Sequence, residues 1–261
     1  MGFRDLPPYA LRAKSFHLIC NPSRLVEEIR ILHQTPAPQP LIIWEPVPDL
    51  CVPEQLAATL AALHYIDVLS PNHEELTSLF NETHPPPAST EGETEGGVNK
   101  PHIQNLAQHL LSHVPSNPTL AILVRCGAEG VYIASNTAIN TTTTNPAKTT
   151  TPRLSRWLPA YHSPTPQKVI DPTGGGNTFL GSFAVGLVRS GGDLVEAGKW
   201  GNVGAGVGIE QVGVPVLGAE VINGIGGAGD GEGDGEGEMW NGTSMWGRLR
   251  EYKRREGVGE D

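Results

Sequence analysis

A run of strand-like residues, Lys168–Asp171, leads into Pro172, Thr173, three glycines at 174–176 and Asn177, after which a helical pattern begins. The first N–H groups of a helix have no partner within it, and glycines leave them unshielded at the positive end of the helix dipole. Three glycines there can cradle an anion, phosphate above all. The same residues also serve as a plain tight strand-to-helix connection, and the turn alone does not separate the two. No Gly-Lys-Ser/Thr follows, so it is not a Walker loop, and it lacks the Gly-x-Gly-x-x-Gly dinucleotide spacing.

Three further constellations each have a plain structural reading. Asn72 with Glu75 three residues on forms a capping-box pattern, and the same carboxylate could serve a metal. Arg125, Gly127 and Gly130 lie where two strands meet at a glycine turn. By pattern alone that is an ordinary glycine hairpin. Asn202-Val-Gly-Ala-Gly-Val-Gly-Ile is a run of small residues, suited to close helix packing.

The elements positioning these residues alternate. Phe16–Cys20, Leu41–Glu45, Ile66–Leu69, Leu120–Arg125, Val131–Ala134 and Lys168–Asp171 read as strands. Asn21-Pro22 caps and opens a helix whose Leu25, Val26, Ile29 and Leu32 share one face. Pro53–Leu63 and a segment entered at Asn72 read as further helices. After the three glycines, Phe179, Leu180, Phe183, Ala184, Leu187 and Val188 form an amphipathic stripe. This rhythm predicts an α/β fold, a mainly parallel sheet with helices on both faces. Stretches at about 83–100, 136–153 and 223–238 are rich in Pro, Thr, Gly or acidic residues. They are expected to be mobile insertions within one domain, because they offer little to bury.

The formal net charge is −10, but nine carboxylates sit in two tracts free of Lys and Arg, at 82–95 and 230–238. No basic face for a nucleic acid is visible. No apolar run reaches the roughly 18 residues of a membrane span. Arg4, Asp5 and Arg12 around two prolines do not read as a signal peptide. Cys20, Cys51 and Cys126 are an odd, scattered set that fits a reducing compartment. A soluble, cytoplasmic protein is expected.

Asp171 to Phe179 resembles the second signature of the pfkB (ribokinase-like) carbohydrate kinases, Asp-Thr-x-Gly-Ala-Gly-Asp-x-Phe, at Asp171, Thr173, Gly174, Gly176 and Phe179. Asn72–Glu75 is similar to that family's Asn-x-x-Glu motif, and Arg125–Gly130 to its Thr-x-Gly-x-x-Gly turn. Trp44-Glu45-Pro46 and the closing Trp240, Arg248 and Tyr252 point to a fungal, killer-maintenance-like branch. The resemblance implies ATP and magnesium as cofactors. Gly174, Gly175 and Gly176 would form the anion hole, and Glu75 would hold magnesium through water. Asn72, Arg125, Gly127, Gly130 and Asn202 would border the nucleotide. Asp171 and Thr173 would bind a monovalent cation, potassium in this family.

Two departures qualify what it implies. Asn177 stands where the family has an aspartate base, and an amide is no base near neutral pH. The resemblance covers residues 15–254 and begins partway into the family fold, without the Gly-Gly sugar-binding signature or the β-sheet lid. A sheet edge is therefore expected to lack its partner, to be covered by a dimer mate or another protein. Phosphoryl transfer to a sugar or nucleoside hydroxyl is expected to be weak or lost, the alternative being a non-catalytic nucleotide-binding or interaction scaffold.

Overall fold

The computed structural model describes residues 2–34, 39–80, 97–138, 153–218 and 239–257. The chain divides into two compact units, Met1–Trp157 and Leu158–Asp261.

The first unit is built on a sheet whose strands follow in chain order: β1 (Ser15–Ile19), β2 (Leu41–Glu45), β3 (Val68–Leu69), β4 (Ala121–Arg125), β5 (Val131–Ala138) and β6 (Arg153–Leu158). β1 to β4 pair in parallel, and β5 runs antiparallel to β4. Helices α1 (Pro22–His33), α2 (Leu56–Ala62), α3 (His73–Phe80) and α4 (Lys100–His113) fill the connections. The sheet is mostly parallel and the fold α/β, as the alternation predicts.

Local signals account for much of this. The Asn21 side chain accepts from the Arg24 amide at 2.8 Å, and Pro22 takes the first position of α1. Leu25, Ile29 and Leu32 are buried on its inner face, with Val26 partly so. α4 starts the same way, Asn99 accepting from the His102 amide at 3.0 Å. The core gathers Trp44, Leu69, Phe80, Leu110 and Ile122. Burying one such side chain stabilises the fold by about 1.5–3 kcal/mol.

Pro53–Leu63 is not one helix: Pro53–Gln55 and Leu63–Tyr65 are 3₁₀ turns on either side of α2. The polar stretch from Asn136 also starts later than predicted. β5 continues to Ala138, because Ser135 and Asn136 donate to the carbonyls of Leu120 and Leu111 at 2.9 and 3.2 Å. Arg153 already belongs to β6. The rest of that stretch, nearly all of the 83–100 stretch and all of 223–238 lie outside the described residues.

The second unit packs α5 (Gly175–Arg189), α6 (Leu194–Gly208) and α7 (Met245–Gly257) with a two-stranded ribbon, β7 (Met239–Trp240) and β8 (Thr243–Ser244). The ribbon turns at Asn241 and Gly242, with φ of 49° and 70°, the pattern of an Asn-Gly hairpin. Lys168–Asp171, expected as a strand, is not one. Pro166–Lys168 forms a 3₁₀ turn, and the amides of Ile170 and Asp171 both donate to the Ile209 carbonyl, at 2.9 and 3.2 Å. One shared acceptor gives no ladder, and Ile170 is exposed.

Candidate functional site

In the first unit, the parallel ladder lines up polar residues at the strand ends. Glu45 closes β2 and Arg125 closes β4, while Ser70 follows β3 and leads into the Asn72 cap of α3. Beyond β3 the ladder extends by one bridge, Asn72 to Arg125. His17 on β1 pairs with Ile43, so it shares a face with Glu45 two residues on, a diagonal neighbour within side-chain reach.

The contacts are dense. Arg125 Nη2 lies 2.8 Å from Glu45 Oε1 and 3.7 Å from Glu75 Oε2, and donates to the Ser70 carbonyl at 3.1 Å. His17 Nε2 meets Glu45 Oε2 at 2.8 Å. The capping box is complete. The Asn72 amide and side-chain Nδ2 donate to Glu75 Oε2 and Oε1 at 2.8 and 2.7 Å, and the Glu75 amide donates to Asn72 Oδ1 at 2.8 Å. Burial pushes both carboxyls up. For Glu45 the hydrogen bond from His17 and the Arg125 charge outweigh it and hold the group below the usual range. For Glu75 burial wins and the group stays raised. The guanidinium charge thus serves Glu45 first.

The turn after β4 follows. Gly127 and Gly130 have φ of 54° and 86°, conformations that disfavour a side chain. Nothing lies within 4 Å of where a Gly127 side chain would start, so this backbone is open to a ligand. Cys126 beside it is buried, its thiol pushed up to about 12 by that burial, and is inert as a nucleophile.

In the second unit, Gly174 (φ 79°) is the N-cap of α5 and supplies no side-chain cap. The Gly175 amide donates to the Pro172 carbonyl at 3.1 Å, whereas the amides of Gly176 and Asn177 have no acceptor among the described residues. Asn177 is exposed. A β-carbon at Gly175 would come within 2.9 Å of Ile209 Cγ2, so the turn is fitted around glycine. Ahead of it, Asp171 Oδ1 accepts from the Thr173 amide at 2.9 Å. That amide, followed by the Thr173 hydroxyl, holds the exposed carboxyl below its usual range.

Asn202 is elsewhere in this unit and is buried. Its Nδ2 donates to the Pro159 carbonyl at 3.0 Å and to the Tyr252 hydroxyl at 2.9 Å. Both amide hydrogens tie α6 to α7 and to the chain entering the unit, so none remains for a nucleotide. The small residues of α6 pack against α5 and Tyr161: β-carbons at Gly201 and Gly206 would meet the rings of Phe179 and Tyr161 at 2.7 and 2.6 Å.

A family model described as pfkB family carbohydrate kinase matches residues 45–216, well over half of the chain. The chain belongs to the pfkB carbohydrate kinase family. This pfkB chain is 32% identical to Protein MAK32 of Saccharomyces cerevisiae over 252 residues, covering 94% of the chain and 58% of the yeast protein. An uncharacterised protein of Schizosaccharomyces pombe is 28% identical over 251 residues, covering 92% and 59%. The chain therefore spans under three fifths of the length of each. Among solved structures, a ribokinase of Cryptococcus neoformans in complex with ADP aligns with a TM-score of 0.53 at 24% identity, over 76% of this chain and 56% of that one. An adenosine kinase of Anopheles gambiae, in complex with a di(adenosine) tetraphosphate, aligns at 0.51 and 17%, over 80% and 57%. At such identities the likeness is one of fold.

The pfkB motifs thus fall into two sets, each described within its own unit. Asn72, Glu75, Arg125, Gly127 and Gly130 converge at the strand ends of the first. Asp171, Thr173, Gly174–Gly176 and Asn177 form one turn in the second, and Asn202 faces inward. The donor set does not fit a magnesium ion ligated directly by the protein. That ion takes six oxygens at about 2.0–2.1 Å, whereas a guanidinium nitrogen stands between the two carboxylates of the first set. Among the described residues, no group of three or more His, Cys, Asp and Glu side chains could hold a metal. Sequence reasoning missed His17 and Glu45 as members of the cluster, because they lie on strands far along the chain from Arg125.

Proposed function

We propose that this chain binds an adenine nucleotide of the ATP type at the pfkB glycine turn of its second unit. In this proposal phosphoryl transfer to a sugar or nucleoside hydroxyl is weak or lost. One observation carries it. The first turn of α5 offers the amides of Gly176 and Asn177, without acceptors among the described residues, at the positive end of a helix, and the exposed Asn177 side chain is an amide instead of a carboxylate. The amides suit a terminal phosphate, and phosphoryl transfer depends largely on such positioning and electrostatic stabilisation. The amide side chain can orient a hydroxyl but cannot take its proton. The nucleotide-bound ribokinase and adenosine kinase share this fold, which supports the choice of ligand class. Any magnesium would arrive on the nucleotide's own phosphates, and no step is assigned to a metal held by the protein. A cytoplasmic location belongs to the same proposal, and no described helix is long and apolar enough to cross a membrane.

The test is ADP release across a panel of sugars and nucleosides, for the wild type and Asn177→Asp. General-base help is worth about 10²–10⁴-fold, so the variant should exceed a near-background wild type by that order on the right acceptor. A wild type turning over at about 1–100 per second, the ordinary kinase range, would contradict the proposal.

A non-catalytic scaffold is the second reading, favoured by the strand β1, which among the described residues pairs on one side only and exposes Ile19. Its backbone can accept another strand. Light scattering would then show a dimer or a hetero-complex, and nucleotide binding without any gain in Asn177→Asp would favour it.

A further inference from the structure

Glu45 and Glu75 lie on neighbouring elements with side chains only 12% and 8% exposed. Two buried carboxylates in one place require positive charge close by. The chain supplies it from β4. Arg125 Nη2 reaches oxygens of both, at 2.8 and 3.7 Å, and is steadied by the Ser70 carbonyl at 3.1 Å. His17 closes the far side of Glu45 at 2.8 Å, and Asn72 covers both oxygens of Glu75. A divalent ion bridging these carboxylates would have to displace the guanidinium nitrogen or sit against its like charge. Among the described residues Arg125 Nη1 has no partner, so the anchored group keeps an N–H donor for an anion.

We infer that Arg125 is a built-in counter-ion standing where a divalent cation would bridge Glu45 and Glu75. This cluster therefore binds no magnesium, and nucleotide bound by the chain keeps its affinity when divalent cations are removed. The second half rests on the nucleotide-binding function proposed above; the first does not.

Mn²⁺ is the probe for the first half, its free fraction read by electron paramagnetic resonance on the full chain without nucleotide. Wild type and Glu75→Gln should bind equal Mn²⁺, since acidic tracts elsewhere contribute the same background to both. Arg125→Met should gain a site that disappears in the Arg125→Met, Glu75→Gln double variant. A Glu75-dependent component in the wild type would overturn the inference. So would an Arg125→Met chain that folds by circular dichroism yet gains nothing. Should Arg125→Met not fold, the wild type against Glu75→Gln decides alone. For the second half, ATP should raise the melting point equally in EDTA and in excess magnesium, and a shift seen only with magnesium would overturn it. No shift in either medium removes the nucleotide proposal, while the Mn²⁺ comparison still decides the first half.

Discussion

His162, Glu210 and Arg248 form a buried polar cluster in the second unit. Arg248 meets both oxygens of Glu210 at 2.6 and 3.0 Å, and His162 Nε2 lies 3.0 Å from Glu210 Oε1. Asn241 Nδ2 adds a contact to Glu210 at 3.4 Å. Breaking a buried pair by removing one partner costs about 3–5 kcal/mol. Arg248→Met should fall at the lower end, since Glu210 keeps Asn241 and His162, and urea unfolding checks it. The pH dependence follows from two depressed groups. Burial lowers His162 from 6.5, outweighing the nearby Glu210 charge. Between its folded value and 6.5 the unfolded chain binds more protons, so stability falls as pH drops from about 6.5. Glu210 is pushed up by burial but held lower overall by Arg248, below 4.5. Its contribution is present above 4.5 and is lost as pH falls through the folded value. Melting points should therefore drop from about pH 7.5 to about pH 5.5 in the wild type, and His162→Gln should flatten that step. An unchanged step in the variant would assign it to another group.

At the scale of elements, glycines in α5 and α6 divide into two kinds. A β-carbon at Gly181 meets nothing within 4 Å, whereas one at Gly201 would sit 2.7 Å from two ring atoms of Phe179. Alanine is favoured over glycine inside a helix by about 0.5–1 kcal/mol, and overpacking costs about 1–3 kcal/mol. Gly181→Ala should therefore stabilise and Gly201→Ala destabilise, read as opposite shifts in the urea midpoint. Equal shifts would mean that the two helices are not in close contact there. Much of this scale is readable locally. Leu41–Glu45 is a strand at the bounds its pattern predicts, and Asn21 caps α1 as its type suggests. α4 went unrecognised despite Asn99, Pro101 and the spacing of Ile103, Leu106 and Leu110, because its start adjoins a low-complexity tract. Lys168–Asp171 misleads in the other direction. Its apolar pair imitates a strand, but a strand also needs a neighbouring ladder, which a local pattern cannot supply.

For the whole molecule, the motifs that announce pfkB ancestry were legible because each is a short run: the glycine turn, the Asn72–Glu75 cap and the Gly127–Gly130 turn. The cluster of His17, Glu45 and Arg125 was not, since its members come from three separate strands and only the folded sheet brings them together. The inward use of Asn202 depends likewise on Tyr252, 50 residues away. Nucleotide binding is the central functional claim, and thermal unfolding of the full chain with and without ATP tests it most directly. At ligand about 100-fold above its dissociation constant, the fold should gain about 2.7 kcal/mol, a rise of several degrees. Gly176→Asp is the control. A carboxylate in the first turn of α5 favours the helix through its dipole yet competes with a bound phosphate. The account predicts a clear shift in the wild type and none in Gly176→Asp, whose own melting point is not lowered. No shift at millimolar ATP, or the same shift in both proteins, would contradict it.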